Sequence, residues 1–200
     1  MVKAMRLLTG GKGIALALVM LLVAQTEMGL ALNISITPKV GTGLARYSGV
    51  DFVRSQMSLL GGLAIGVEFT DRWSFELSGF YLRKGGQEVY KDNFLEYVAI
   101  PLTVRFRIVD RVSLVLGPQI GFLMSAMTNG QSVREFTEPV DYGMVFGFTY
   151  YFPINNDRLV FEFLIDAGMM DFSKDIHPYI LGDNRNRAAY VTVGWAFSLL

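Results

Sequence analysis

The chain has 200 residues, of which 52% are hydrophobic and 13% aromatic, so it is long enough for one domain with a sizeable core. Its 18 basic and 18 acidic residues give a formal net charge of zero. That balance argues against a nucleic-acid partner, because nucleic-acid-binding proteins carry a basic stripe. Cysteine is absent, which excludes disulfides, thiol nucleophiles and thiolate metal sites.

The first 31 residues have the layout of a secretory signal peptide. Three basic residues precede an unbroken apolar run at residues 14–24, and small residues follow up to Ala31. The run is shorter than the roughly 20 residues that a membrane helix needs. We therefore predict a signal peptide over residues 1–31, cleavage after Ala31, and an exported domain over residues 32–200.

A long hairpin is predicted between residues 94 and 124. Apolar side chains alternate with polar or small ones over residues 100–108 and again over residues 112–122. This period of two is typical of strands, which send successive side chains to opposite faces. The break at residues 109–111 is too short for anything but a tight turn. The hairpin therefore has one face that is apolar throughout.

The same alternation recurs along the chain and predicts eight strands. They fall at about residues 33–44, 58–69, 73–83, 94–108, 112–124, 142–152, 158–169 and 188–199. The connections alternate between long polar loops, at residues 45–57, 84–93, 125–140 and 171–187, and tight turns. An even strand count, alternating connections and aromatics near strand ends are typical of bacterial outer-membrane barrels. We predict an all-β, eight-stranded antiparallel up-and-down transmembrane barrel in the outer membrane, with four long outer loops.

The polar face of the strands is rich in glycine, serine, threonine and alanine, which suits the narrow lumen of an eight-stranded barrel. Eight charged residues share this face, four of each sign. Confined charges need partners. We therefore predict a neutral network that fills the lumen and leaves no open pore, with these members: Lys39, Glu68, Glu76, Arg105, Arg107, Arg158, Glu162 and Asp166.

Three prolines fall inside predicted strands, at Pro38, Pro101 and Pro118. Proline cannot donate a ladder hydrogen bond, and a closed barrel has no edge where a missing donor would be harmless. We therefore expect β-bulges or strand ends at these positions.

The stretch YVAIPLTVRF at residues 97–106, followed by LVLGPQIGFLM, resembles the PorT-like outer-membrane β-barrel family. That family carries Leu-Glu-Ile-Pro-Leu on its fourth strand, where this chain has Ala99 in place of the acid, and Gly-Pro-x-x-Gly on its fifth. The C-terminus departs from the aromatic ending common in outer-membrane barrels, since it reads Phe197-Ser198-Leu199-Leu200. The resemblance implies an eight-stranded outer-membrane barrel, in some members tied to protein secretion, and no catalytic residues.

Catalytic and metal-binding patterns are weak. His177 is the single histidine, and Ser173 and Asp175 lie nearby in the sequence. These residues make a membrane enzyme that acts on lipid a first alternative. Ordinary loop composition explains the same residues, so we expect no catalytic residue, no metal site and no cofactor. A second alternative is a soluble exported barrel, like a lipocalin, with its apolar face inside.

We expect a structural or interaction role through the outer loops. The expected partners are outer-membrane lipid, the barrel-assembly machinery during biogenesis, and a protein bound at the loops. The candidate contact residues are Arg46, Tyr47, Tyr90, Lys91, Arg134, Glu135, Phe136 and Tyr179.

Overall fold

The structure, a computed structural model, describes residues 33–48, 54–88, 91–171 and 185–199. The predicted signal peptide at residues 1–31 lies outside the described residues. So do the following residues singled out above: Tyr90, Ser173, Asp175, His177, Tyr179 and Leu200.

Eight long strands and one short strand follow the alternation of the sequence. They are β1 Asn33–Ser48, β2 Arg54–Glu68, β3 Trp73–Glu88, β4 Lys91–Val109, β5 Val112–Thr128, the short β6 Gln131–Ser132, β7 Val140–Ile154, β8 Asp157–Asp171 and β9 Arg185–Ser198. A 3₁₀ turn spans Arg134–Phe136. Within the described ranges, no helix has the length and apolar character needed to cross a bilayer.

The eight long strands close on themselves. Their order is β4-β3-β2-β1-β9-β8-β7-β5, and β4 also pairs with β5. All these pairings are antiparallel. Closure leaves no strand edge, as lipid requires because it offers the backbone no hydrogen-bond partner. The predicted eight-stranded antiparallel barrel is confirmed.

The two ends of the barrel differ in their connections. Residues 69–72, 110–111 and 155–156 make tight turns at the end where β1 starts and β9 finishes. At the opposite end, longer connections join β1 to β2, β5 to β7 and β8 to β9. Outer-membrane barrels keep their short turns in the periplasm. The opposite end, with the longer connections, is therefore the outer end.

The strands extend further at the outer end than the sequence predicted. The loop predicted at residues 84–93 is wrong, since β3 and β4 pair as far as Glu88 and Lys91. Only residues 89–90 lie between these two strands, and the loop predicted at residues 45–57 shortens to residues 49–53, so two outer connections are long instead of four. The glycines Gly85 and Gly86 and the polar residues Gln87 and Glu88 obscured the alternation here.

The prediction of bulges or strand ends at the prolines is also wrong. Pro38, Pro101 and Pro118 each lie inside a strand. At each proline the pairing with one neighbouring strand is interrupted, and it then resumes in the same register. Losing one ladder hydrogen bond is enough to accommodate the missing N–H. The register shifts lie elsewhere, for example between Glu96 and Tyr97.

The outward face of the barrel is apolar. Along β2, Leu63 and Ile65 are 57% and 49% exposed, whereas Ala64 between them is fully buried. Aromatic side chains gather near the periplasmic end, where the ring centroids of Trp73 and Phe106 lie 4.7 Å apart. Such a girdle is typical of the membrane–water interface. The apolar side chains therefore face outward, whereas those of a soluble barrel face the interior.

Candidate functional site: the charged lumen

Inward-facing side chains fill the lumen, and small residues make room for the long ones. Lys39 on β1 pairs with Gly62 of β2 and with Gly194 of β9. A Cβ added to Gly194 would lie 2.8 Å from Lys39 Cγ, too close for two carbon atoms. The absence of a side chain at Gly194 therefore leaves the space that the lysine stem occupies.

Glu162 on β8 lies between two hydroxyl donors, whereas Lys39 lies between two glycines. Its neighbours across the sheet are Thr149 of β7 and Thr192 of β9. Thr192 Oγ1 donates to Glu162 Oε2 at 2.9 Å, and Thr149 Oγ1 lies 3.3 Å from Oε1. Both carboxylate oxygens therefore have local donors before any cation is counted.

Four buried charges meet in the middle of the barrel, and we call Lys39, Glu76, Arg105 and Glu162 the central cluster. Lys39 Nζ lies 2.7 Å from Glu76 Oε1 and 3.0 Å from Glu162 Oε1. Arg105 Nη2 lies 2.5 Å from the same two oxygens. Each cation thus contacts both acids, and each acid contacts both cations. The cluster is neutral, and it joins side chains from β1, β3, β4 and β8.

A second group, the periplasmic cluster, comprises Glu68, Arg107 and Arg158. Arg158 Nη1 lies 2.5 Å from Glu68 Oε1, and Arg107 Nη2 lies 3.7 Å from Glu68 Oε2. These side chains are only partly buried, so their ion pairs contribute little to stability. Between the periplasmic and central clusters lies a cavity of about 20 Å³, lined in part by Glu68, Arg105 and Arg158. It has room for about one water molecule.

A third group, the outer cluster, comprises Lys84, Asp141 and Asp166. Lys84 Nζ lies 2.7 Å from Asp166 Oδ2 and 3.4 Å from Asp141 Oδ2. Gln119 donates to Asp166 Oδ2 and Asn186 donates to Asp141 Oδ2, each at 3.0 Å. Both Oδ1 atoms are buried without a hydrogen-bond donor among the described residues. One cation therefore serves two acids, and the outer cluster has a formal charge of −1.

All eight residues of the predicted lumen network face the lumen and take part in ion pairs. The structure divides them among three clusters, whereas the sequence suggested one network. Sequence reasoning missed Lys84 because it was placed in a predicted loop, and Asp141 because the predicted strand started one residue later, at residue 142. The sequence did contain a signal for Lys84, because the alternation that places Glu76 and Ser78 on the inward face continues along β3 as far as Lys84.

The candidate contact residues lie at the outer end where they are described. Arg46 is exposed on β1, and the 3₁₀ turn exposes Arg134, Glu135 and Phe136. Nothing is described of the side chains of the other four, Tyr47, Tyr90, Lys91 and Tyr179. Among the described residues, no group of three or more metal-ligating side chains comes together.

Comparison with known proteins identifies the family. The family model described as "Outer membrane protein beta-barrel domain" matches residues 23–174. This chain belongs to that family. The barrel is therefore an outer-membrane protein, its apolar face meets lipid, and the soluble lipocalin-like alternative is wrong.

Two solved structures are similar to this chain, and the first of them shares its fold. Neisserial surface protein A is 15% identical with a TM-score of 0.53, and the match covers 82% of this chain and 97% of that one. Ail, the attachment invasion locus protein of Yersinia pestis, is 20% identical with a TM-score of 0.48, covering 84% of this chain and 100% of that one. A comparison with curated proteins finds no match.

Proposed function

We propose that the protein is a closed, non-conducting outer-membrane barrel with a structural or interaction role at its outer end. The central cluster is the observation that carries the first half of this proposal. It joins four strands around the lumen through four ion-pair contacts of 3.0 Å or less.

A solute crossing the lumen would have to separate these ion pairs. Lys39, Arg105 and Glu162 are at least 95% buried as side chains, so breaking a pair would leave a charge with little water around it. Breaking a buried pair costs several kcal/mol. The outer cluster adds a second barrier of the same kind. Thermal fluctuation therefore opens a path too rarely to support steady ion flow.

Conductance in planar bilayers tests closure. The wild-type protein should give no steps above the lipid background. Lys39→Ala/Glu162→Ala removes one charge of each sign from the central cluster and should raise the conductance. Arg83→Ala/Glu96→Ala, which removes the outward-facing ion pair at 2.7 Å, is the matched control and should remain silent. Steady channels in the wild-type protein would contradict the proposal.

The connection between β5 and β7 supports the interaction role. Short β6 pairs back onto β5 through Met127 and Thr128. Thr137 Oγ1 then donates to the Val133 carbonyl oxygen at 3.0 Å, which ties down the 3₁₀ turn. This folded connection holds Phe136, 40% exposed, at the outer end. An aromatic side chain displayed on an ordered connection is suited to protein contact.

Site-specific photo-crosslinking in living cells tests the interaction role. A photoreactive residue at position 136 should form an adduct with a protein. The same residue in place of Phe148, which is 51% exposed on the lipid-facing side of β7, is the control and should give none. If positions 136 and 148 give the same products, the outer connection is not a partner-binding site.

We further infer that the chain lies in the PorT-like branch of the family. The support is the AIPL stretch at residues 99–102 together with Gly117-Pro118 and Gly121. A role in protein secretion would follow. Deleting the gene should then reduce the amount of protein released to the medium, and an unchanged secreted fraction would count against the branch assignment.

We propose that the barrel is not an enzyme. The charged lumen residues are engaged with one another, and the resemblance implies no catalytic residue. His177→Ala should therefore leave the lipid composition of the outer membrane unchanged. A lost lipid modification in that variant would instead support the membrane-enzyme alternative.

A further inference from the structure

We propose that Arg46 and Arg187 form, on the outward face of the barrel, a binding site for the phosphate group of an outer-leaflet lipid. The two residues are directly opposed on β1 and β9. Both are exposed, and their neighbours Ala45, Asn186 and Ala188 are buried inward. Both guanidinium side chains therefore leave the barrel wall on the same side, toward the membrane.

The arginines lie at the outer boundary of the lipid-facing belt. The preceding outward pair is Leu44 opposite Ala189, and Leu44 is 59% exposed. Val40 and Val191, further toward the periplasmic end, are also exposed and apolar. The outward face thus changes from aliphatic to cationic at one step along the sheet. In a bilayer, that step marks the level of the headgroups of the outer leaflet.

Opposed arginines repel each other. Directly paired residues in an antiparallel sheet have Cβ atoms about 5 Å apart, and like charges there are destabilising. In the described part of the chain, the ion pairs include neither Arg46 nor Arg187. A bound anion between the two guanidinium groups would turn this repulsion into attraction.

Another outward arginine at the same end shows the contrast. Arg83 on β3 is paired with Glu96 on β4, with 2.7 Å between Nη2 and Oε1. The protein thus supplies its own acid on that side. On the other side, Arg187 is opposed by Ala167 of β8 and by Arg46 of β1. The anion must then come from outside the sheet.

A phosphate fits this position best. The planar guanidinium binds phosphate with two parallel hydrogen bonds, and two guanidinium groups can share the oxygens of one phosphate group. Phosphorylated lipids place such groups at the headgroup level, where basic residues are attracted to an anionic membrane surface.

Binding of lipid A to the full chain in micelles of dodecyl maltoside, a detergent without phosphate, tests the site. Diphosphorylated lipid A should bind the wild-type protein at least tenfold more tightly than it binds Arg46→Ala/Arg187→Ala. Arg83→Ala should bind as the wild type does, and dephosphorylated lipid A should not distinguish the proteins. Equal binding of diphosphorylated lipid A by the wild type and the double variant would overturn the proposal.

Thermal stability provides a second readout with opposite signs. In dodecyl maltoside micelles, which contain no phosphate, Arg187→Ala should raise the melting temperature, because the like-charge pair is lost. With diphosphorylated lipid A present, the same change should lower it. A lower melting temperature in both conditions would mean a purely structural role and would overturn the site. If inorganic phosphate alone stabilises the wild type as strongly as lipid A does, the lipid assignment is wrong.

Discussion

The central and outer clusters bury similar side chains but differ in how many cations they contain. In the central cluster, Lys39 and Arg105 each contact both Glu76 and Glu162. In the outer cluster, Lys84 alone contacts Asp141 and Asp166. If one cation of the central cluster is lost, the other still contacts both acids. If Lys84 is lost, the outer cluster has no cation left.

Cation redundancy, more than the number of ion pairs, should therefore decide how sensitive a buried cluster is to mutation. A buried carboxylate is tolerated when a cation and hydrogen-bond donors surround it, and it is costly when left alone. Removing a single group from either cluster therefore leaves a different net charge behind.

Lys84→Met should have the largest effect. It leaves two buried carboxylates with no cation in the outer cluster, so the free energy of unfolding should fall by at least about 3–5 kcal/mol. Unfolding in lipid vesicles, followed by the fluorescence of Trp73 and Trp195, measures the loss. A change below 1 kcal/mol, as expected of an exposed pair, would show that water reaches these acids.

Arg105→Met should have a smaller effect, because Lys39 still contacts both acids. We expect a loss of about 1.5–3 kcal/mol, the contribution of a hydrogen bond to a charged group. The same unfolding measurement applies. A loss greater than that of Lys84→Met would mean that Arg105 stabilises the barrel through more than its charge, for example through Thr149 and Tyr151, to which it donates.

Asp141→Asn should change the free energy of unfolding by no more than about 1 kcal/mol, because it removes the excess negative charge and keeps a side chain of the same shape. Glu162→Gln is its matched comparison in the central cluster. That change leaves two cations with one acid, so it should be the more destabilising of the two. Equal losses would show that charge balance does not distinguish the clusters.

Arg83→Ala should have the smallest effect. Its ion pair with Glu96 is partly exposed, and such pairs contribute about 0–1 kcal/mol. Raising the salt concentration should reduce even this difference, because salt screens exposed charges. A loss above about 2 kcal/mol would indicate that lipid excludes water from this pair.

Much of the fold could be predicted from the sequence, because lipid imposes a strict period of two on the outward face. Residues such as Leu63 and Ile65 alternate with small inward ones, and this alone gives the strand count and the facing. The ends of the strands were harder to predict from the sequence. Beyond the lipid belt, outward positions such as Arg83 and Glu96 are polar, so the alternation fades while the strands continue.

Eight of the ten members of the lumen clusters could be predicted from the sequence, all except Lys84 and Asp141, whereas their pairing could not. An inward charge such as Glu76 stands out because its neighbours in the same register are small. Which charges meet depends on strands that lie far apart in the sequence, as with Lys84 on β3 and Asp166 on β8. The register shift between Glu96 and Tyr97 likewise has no sequence signal that we recognise.

The triple variant Lys84→Met/Asp141→Asn/Asp166→Asn tests most directly whether charge balance governs the lumen. It removes the cation and both acids of the outer cluster, so the buried charge falls to zero while side-chain shapes are nearly kept. Its free energy of unfolding should recover most of the loss caused by Lys84→Met alone. If the triple variant is no more stable than Lys84→Met, charge balance does not govern the lumen, and hydrogen bonds and packing around Lys84 hold the outer cluster together instead.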